Sequence, residues 1–256
     1  MLLLIGLGLD AKDLSVKALD ALRSADLVLM EDYTTFLPVG YLEYLKAETK
    51  SEIAIVRRSD LEDNVKKTVA QAEEKTVAIL VPGDPLIATT HHIILDESKR
   101  QGIEYRVYHS ASIFSAAIGE SGLDVYRFGP PFTIPFWSEN YKPTSFVESL
   151  KRNMENDQHS LILLDLDAKS RSFMTLAQAV QLLRDADWEK RLDIVTEDLC
   201  ILAMGDVGKS TCTAAYLMIK NIARVEDRFK GKPIVIIVPA SPSPAELESI
   251  SRFLVK

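Results

Sequence analysis

Cysteine is nearly missing from this chain of 256 residues: Cys200 and Cys212 are its two thiols. Two are too few for a disulfide framework, and their spacing is not that of metal ligands. The expectation is a reducing, cytoplasmic compartment and no metal centre. A basic surplus is also lacking. Lys and Arg total 30 against 37 Asp and Glu, a formal charge of −7. That balance argues against a general nucleic-acid binder, which carries a basic footprint, while leaving room for a protein partner met through a local patch. No apolar run approaches the ~20 residues of a membrane span, so no membrane contact is expected. The first residues have no basic n-region and run straight into a glycine turn, and therefore read as a strand, not a signal peptide. There is no internal repeat, no low-complexity tract and no Gly-x-Ser-x-Gly elbow of a serine hydrolase. What remains is ordinary globular composition, 47% hydrophobic and 26% charged, with ample core for one large or two small domains.

Apolar runs alternate with amphipathic stretches. Strands are expected at 2–5, 26–30, 53–56, 76–81 and 104–109, with helices at 11–24, 38–47, 61–74 and 86–100 between them. This spacing implies a mostly parallel sheet with helices on both faces. A boundary near Ser110 separates domains 1–110 and 111–256. The second opens on a small-residue helix, 110–120. The stretch Phe128-Gly-Pro-Pro-Phe-Thr-Ile-Pro-Phe136-Trp137 follows, rich in proline and aromatics, as suits an edge strand or linker. Beyond the polar loop 139–143, helices are expected at 145–156, 173–186, 211–225 and 245–254, and strands at 160–165, 199–204 and 233–238.

The chain is organised around Val81-Pro82-Gly83-Asp84-Pro85-Leu86-Ile87. Gly83 can take a positive φ and let another molecule approach the backbone; Pro82 and Pro85 fix φ on either side and remove two donors. Asp84 is thereby held at the carboxyl end of a strand, where open α/β sheets bind ligands. An N-capping Asp in a strand-to-helix turn is the alternative. Elsewhere, Gly6-x-Gly8-x-x-Ala11 matches the alanine-ended dinucleotide fingerprint, with Asp26 and Glu31 about 20 residues on, where a ribose-binding acid belongs. That pattern admits an NAD-dependent oxidoreductase. Asp10 counts against it, because an acidic turn suits a ligand with positive charge better than a pyrophosphate. Gly205-Asp-Val-Gly208-Lys209-Ser210-Thr211 approaches a phosphate-binding loop but has Ala203 where the pattern needs glycine; a Gly-rich turn before a helix is the plainer reading. The adjacent His91 and His92 point about 100° apart on a helix and cannot share a metal.

Taken as an ordered set, these residues resemble the diphthine synthases, within the tetrapyrrole-methylase superfamily. The likeness is carried by Gly6-Leu-Gly-Leu-Asp10, Glu31-Asp-Tyr-Thr-Thr35, Gly83-Asp-Pro-Leu-Ile-Ala-Thr-Thr-His91, His109-Ser-Ala-Ser-Ile113, Phe128 to Phe136, Pro143-Thr-Ser-Phe146 and Leu163-Leu-Asp-Leu166. The resemblance implies a two-domain α/β fold, with a mostly parallel N-terminal sheet, a mixed C-terminal sheet and the cofactor cleft between them. It implies a homodimer that methylates, with S-adenosyl-L-methionine, the aminocarboxypropyl-modified histidine of translation elongation factor 2 in diphthamide biosynthesis. Carried over by position, the cofactor contacts fall on Leu9, Asp84, Ile87, Ser112, Ile113, Leu164, Ala203 and Ile234. Ile234 stands where the family often has histidine, and Ala203-Met-Gly-Asp-Val-Gly208 departs from the family's Ala-Arg-Ala-Gly pattern. No general base is singled out; His91 and Tyr33 are candidates by position alone. Corrin and porphyrin precursor methylases share the Pro-Gly-Asp-Pro turn but favour Pro-Gly-x-Ser after the fifth strand, where this chain has His109-Ser-Ala-Ser112.

Overall fold

In the computed structural model, which describes residues 1–37, 40–49, 52–167 and 170–255, the chain divides into two compact units, Met1–Ile113 and Phe114–Lys256. The first alternates strands and helices: β1 (Leu2–Gly6), α1 (Val16–Arg23), β2 (Leu27–Glu31), α2 (Tyr41–Thr49), β3 (Ile53–Val56), α3 (Arg58–Leu61), α4 (Val65–Ala70), β4 (Val77–Val81), α5 (His92–Arg100) and β5 (Tyr105–Tyr108). Its sheet has the order β3-β2-β4-β1-β5, and every pairing is parallel. β1 and β4 are buried along their whole length, because helices cover both faces and neither set of alternate side chains meets water. Leu3, Ile5, Ala78 and Leu80 pack under α1 and α2 with Ala18, Leu22 and Leu45. Leu2, Leu4, Val77 and Ile79 pack on the opposite face with Leu61, Val69 and Ile94. The neighbouring strands β1 and β4 therefore send their following helices to opposite faces, and the crevice at their carboxyl ends is the ligand position of such sheets.

α6 (Ile113–Ser121) starts on the last residue of the first unit, and a 3₁₀ turn, Val125–Arg127, follows it in the second. The second unit continues through β6 (Phe132–Ile134), α7 (Ser145–Glu155), β7 (Ser160–Leu164), β8 (Leu166–Asp167), β9 (Ser172–Phe173), α8 (Leu176–Lys190), β10 (Cys200–Gly205) and β11 (Thr213–Met218). A 3₁₀ segment (Ile219–Arg224), α9 (Glu226–Phe229), β12 (Ile234–Val238) and α10 (Pro244–Ser251) complete it. Its main sheet runs β11-β10-β12-β7-β6. Only the β6–β7 pairing is parallel and the other three are antiparallel, so this sheet is mixed, as expected. The proline-aromatic stretch supplies β6 at the sheet edge, where proline removes no needed ladder bond.

Several expected elements differ. Residues 213–218 form β11, not part of a helix, and pair antiparallel with β10 so that Ala203 faces Ala215. Ala215 and Leu217 are buried, and Ala214 and Tyr216 only partly. That period of two is stabilised by pairing, which overrides the helix propensity of Ala-Ala-Tyr-Leu-Met. Of the helix expected over 61–74, α4 forms at Val65–Ala70; α3, Arg58–Leu61, precedes it and ends before the break at Asn64. α1 begins at Val16, capped by Ser15, not at Ala11. α5 begins at His92, six residues after the expected start at Leu86. Of the helix expected over 38–47, residues 38 and 39 lie outside the described residues, and α2 begins at Tyr41. Among the described residues no helix is long and apolar enough to cross a membrane.

A buried polar cluster closes the second unit. Glu246 accepts from the amides of Asp124 (3.0 Å) and Ser243 (2.8 Å), from Arg127 (2.6 Å) and from His159 Nε2 (2.8 Å). His159 Nδ1 accepts the Ala240 amide at 3.0 Å, so the imidazole is neutral, with its proton on Nε2. Burial pushes the Glu246 carboxyl up, but the bonds from Asp124, Ser243 and His159 outweigh it and hold the group well below the usual carboxylate range. A depressed carboxyl stabilises the fold above its unfolded value and ceases to do so as pH falls. Glu246→Gln is expected to cost roughly 3–5 kcal/mol at neutral pH. The variant is also expected to lose less than wild type on acidification to about pH 4. Thermal melts at the two pH values check this, and equal losses on acidification in both proteins would refute it.

Candidate functional site

The turns after β1, β2, β4 and β5 gather at one edge of the first sheet. Two of them are joined directly. Gly8 and Gly83 exchange backbone hydrogen bonds of 3.1 and 2.8 Å, both at positive φ, +78° and +74°. A Cβ on Gly6 would stand 2.6 Å from the Gly83 carbonyl and 2.8 Å from Pro85 Cδ, so only glycine allows this approach.

Asp84, 6% exposed, sits in the second of these turns. Oδ1 accepts the Leu86 amide at 3.0 Å. Oδ2 accepts the Ser110 amide at 3.2 Å and His109 Nδ1 at 2.9 Å. The carboxylate therefore ties the turn after β4 to the segment after β5. It does not cap a helix, since seven residues separate it from His92 at the head of α5. The delay has a local cause. The Asp84 bond to Leu86 closes a side-chain turn, and Ala88 takes φ +56°, a left-handed conformation that costs a non-glycine residue about 1–2 kcal/mol and interrupts a helix.

The first turn is filled by its own chain. Asp13 Oδ2 accepts the amides of Leu9 and Asp10, each at 2.9 Å, and Asp10 accepts the Ala11 amide at 2.8 Å. These amides are the donors a pyrophosphate would need, and the helix that should begin there starts only at Val16. Asp26 receives the Thr76 amide at 2.8 Å. Glu31 is fully buried and accepts the amides of Tyr33 and Thr34 together with the Thr34 hydroxyl. The dinucleotide reading fails on these points. The 205–211 segment fails as a phosphate loop as well: it leads into the strand β11, and Lys209 and Thr211 are both bonded to Asp206, at 3.1 and 2.8 Å.

His91 and Tyr33 do meet. Tyr33 Oη lies 3.1 Å from His91 Nε2, and His91 Nδ1 lies 3.1 Å from the Pro85 carbonyl. A carbonyl only accepts, so Nδ1 carries the proton and Nε2 takes the tyrosine hydroxyl. Burial lowers the His91 pKa and raises that of Tyr33. His91 is fully buried and its ring nitrogens are both bonded, so the arrangement does not support the general-base role expected from position.

The remaining predicted residues divide between the units. In the first, Leu9 is half-buried, Ile87 is 43% exposed, Ser112 is buried and Ile113 half-buried at the head of α6. In the second, register aligns Ile234 with Gly205 on β10 and Val235 with Leu163 on β7. Leu164 and Ile234 thus lie at one end of that sheet, with Ala203 two residues in from it on β10. His109, Ser110 and Asp13, which do much of the tying at the first unit's edge, were not anticipated. His109 and Ser110 reach Asp84 from another turn, and Asp13 folds back on the amides of Leu9 and Asp10 within its own turn.

The profile of the Tetrapyrrole (Corrin/Porphyrin) Methylases matches residues 1–202. The chain is 37% identical over 245 residues to the diphthine synthase of Methanothermobacter thermautotrophicus, covering 94% of this chain and 90% of that one. It is 34% identical over 275 residues to the diphthine methyl ester synthase of Homo sapiens, covering 99% and 95%. A crystal structure of a diphthine synthase superposes with a TM-score of 0.88 at 33% identity, over 99% of this chain and 95% of that one. With the family profile over most of its length and diphthine synthases alike from end to end in sequence and fold, the chain belongs to the diphthine synthase family of the tetrapyrrole methylases.

Proposed function

We propose that this methyltransferase uses S-adenosyl-L-methionine to methylate the aminocarboxypropyl-modified histidine of translation elongation factor 2, forming diphthine in diphthamide biosynthesis. The observation that carries the cofactor assignment is the filling of the first turn by Asp13. It removes donors from an anion and leaves an edge lined by Asp10, Asp13 and Asp84, which favours a ligand bearing sulfonium and ammonium charges. Gly83 has room beside it: the nearest atom to a Cβ built there is the Ala111 carbonyl oxygen, at 4.0 Å. Leu9 and the exposed Ile87 offer apolar surface close by. These residues fit the cofactor.

S-adenosyl-L-methionine supplies, when bound, a methyl group on a sulfonium that an amine displaces in line, without a covalent enzyme intermediate. The chain's own part is then to orient, since proximity and alignment carry most of the rate in such a displacement. Asp84 holds two segments of the edge in fixed relation and keeps acceptor capacity for a ligand hydroxyl or amine. In the first unit the proposed cofactor contacts are Leu9, Ile87, Ser112 and Ile113, beside Asp84; the family resemblance also proposes Leu164, Ala203 and Ile234 as contacts. A small residue at 203 and backbone at 234 suit close approach more than charge recognition. The same proposal places the protein in the cytoplasm as a homodimer. Its free thiols support the compartment, and the family resemblance supports the dimer. A corrin or porphyrin substrate is disfavoured because His109 and Ser110, where those methylases prefer Pro-Gly, both bond to Asp84 here.

Isothermal titration with S-adenosylhomocysteine, NAD and ATP tests the cofactor. Heat from S-adenosylhomocysteine alone is expected. Binding of NAD or ATP with none of S-adenosylhomocysteine would overturn the assignment.

A further inference from the structure

The buried Tyr33–His91 pair has no part in the chemistry proposed above, yet the structure spends several bonds on it. The Pro85 carbonyl receives His91 Nδ1 at 3.1 Å and the Thr89 hydroxyl at 2.9 Å. His91 is in turn held by the Tyr33 hydroxyl at 3.1 Å. Tyr33 is anchored through its amide to buried Glu31 at the end of β2, at 2.9 Å. The Arg58 guanidinium lies 5.2 Å from the centre of the Tyr33 ring. A continuous series of contacts thus runs from the carboxyl end of β2 to the turn after β4, its neighbour in the sheet.

The segment it controls is short. Asp84 fixes one end of the turn and His91 the other, and between them Ala88 stands at φ +56° while Ile87 projects to 43% exposure. A left-handed alanine beside an exposed isoleucine is unfavourable locally and persists only where the surroundings impose it. Holding a contact residue in place before the ligand arrives lowers the cost of binding.

We infer that Tyr33 and His91 are positioning residues for the cofactor: by fixing the Pro85 carbonyl they set the turn that presents Asp84 and Ile87, and this setting contributes to affinity for S-adenosyl-L-methionine. The inference rests on the cofactor site proposed above. It assigns the pair to binding and not to proton transfer.

Substitutions at His91 separate the two nitrogens. His91→Asn places an amide nitrogen near the position of Nδ1 and keeps a donor for Pro85. His91→Gln places its polar end near Nε2 and abandons Pro85. Tyr33→Phe removes only the hydroxyl. Titration with S-adenosylhomocysteine should show His91→Gln weakened about tenfold, and His91→Asn and Tyr33→Phe weakened about threefold, the range of one hydrogen bond. The KM for S-adenosyl-L-methionine should rise in the same order, with kcat at saturation and its pH profile unchanged in all three. Wild-type affinity in both His91→Gln and Tyr33→Phe overturns the positioning role. So does a fall in kcat with an altered pH profile, which would mean acid–base chemistry. Should His91→Gln fail to fold, Tyr33→Phe decides alone, by affinity at or below wild type. If wild type itself does not bind S-adenosylhomocysteine, the cofactor assignment falls, and this inference with it.

Discussion

Asp84→Ala is expected to lower affinity for S-adenosylhomocysteine by at least about a hundredfold, the equivalent of about 2.7 kcal/mol. The carboxylate is 6% exposed and accepts from the amides of Leu86 and Ser110 and from His109. Alanine leaves those amides without their acceptor, at about 1–3 kcal/mol for each that water does not reach, and frees the segment after β5 from the turn after β4. The loss therefore combines a missing ligand contact with a disordered site. Asp84→Asn discriminates between the two. It keeps the shape and an oxygen for the Leu86 amide, so the turn itself should survive, while the tie to the Ser110 amide and the negative charge facing a cationic ligand go, and an intermediate loss of about tenfold is expected. Titration of both variants beside thermal melts gives the answer. Affinity within twofold of wild type in Asp84→Ala would exclude the residue from the site.

Gly6→Ala should have the second-largest effect, although the methyl group it adds touches no ligand. The new Cβ would lie 2.6 Å from the Gly83 carbonyl, 2.8 Å from Pro85 Cδ and 3.1 Å from Ser110 Cβ. Two of these neighbours belong to the central turn and the third to the segment that Asp84 holds. Neither turn can yield without breaking the Gly8–Gly83 bonds. Overpacking of this kind costs about 1–3 kcal/mol, and here the displacement falls on the binding edge. A lower melting point and a loss of affinity larger than the loss of stability are expected together. The control is Gly102→Ala, on the far side of α5, where a Cβ meets nothing within 4 Å. Its φ of +69° should cost stability with affinity unchanged. Equal losses of affinity in the two variants would contradict the close-approach account.

The parts of this fold that could be read in advance were those determined by their own residues. β1, β4 and β12 are unbroken apolar runs, because both their faces are covered. The Pro-Gly-Asp-Pro turn declared itself through glycine and proline. β11 could not be read the same way: Ala214, Ala215, Leu217 and Met218 suit a helix, and only pairing with β10 makes them a strand. The two-residue strands β8 and β9 are too short to carry a pattern. The start of α5 is hidden in the sequence because Ala88 gives no sign of its left-handed backbone. At the site, Asp84 was legible and its partners His109 and Ser110 were not, since they come from another turn, brought close by the parallel order of the strands. Asp13 is hidden for a different reason: the glycine spacing of Gly6 and Gly8 describes the turn without the carboxylate that fills it.

The measurement that tests the central claim most directly is methyl transfer itself. The protein would be incubated with S-adenosyl-L-methionine and elongation factor 2, once with the aminocarboxypropyl group on the modified histidine and once with that histidine bare. The peptide carrying the residue would then be weighed by mass spectrometry. Whole methyl increments on the modified form alone are predicted, with none on the bare form and an initial rate in Asp84→Ala reduced about tenfold or more at cofactor concentrations that just saturate wild type. An unmethylated peptide in every case, from protein that binds S-adenosylhomocysteine, would contradict the assigned substrate.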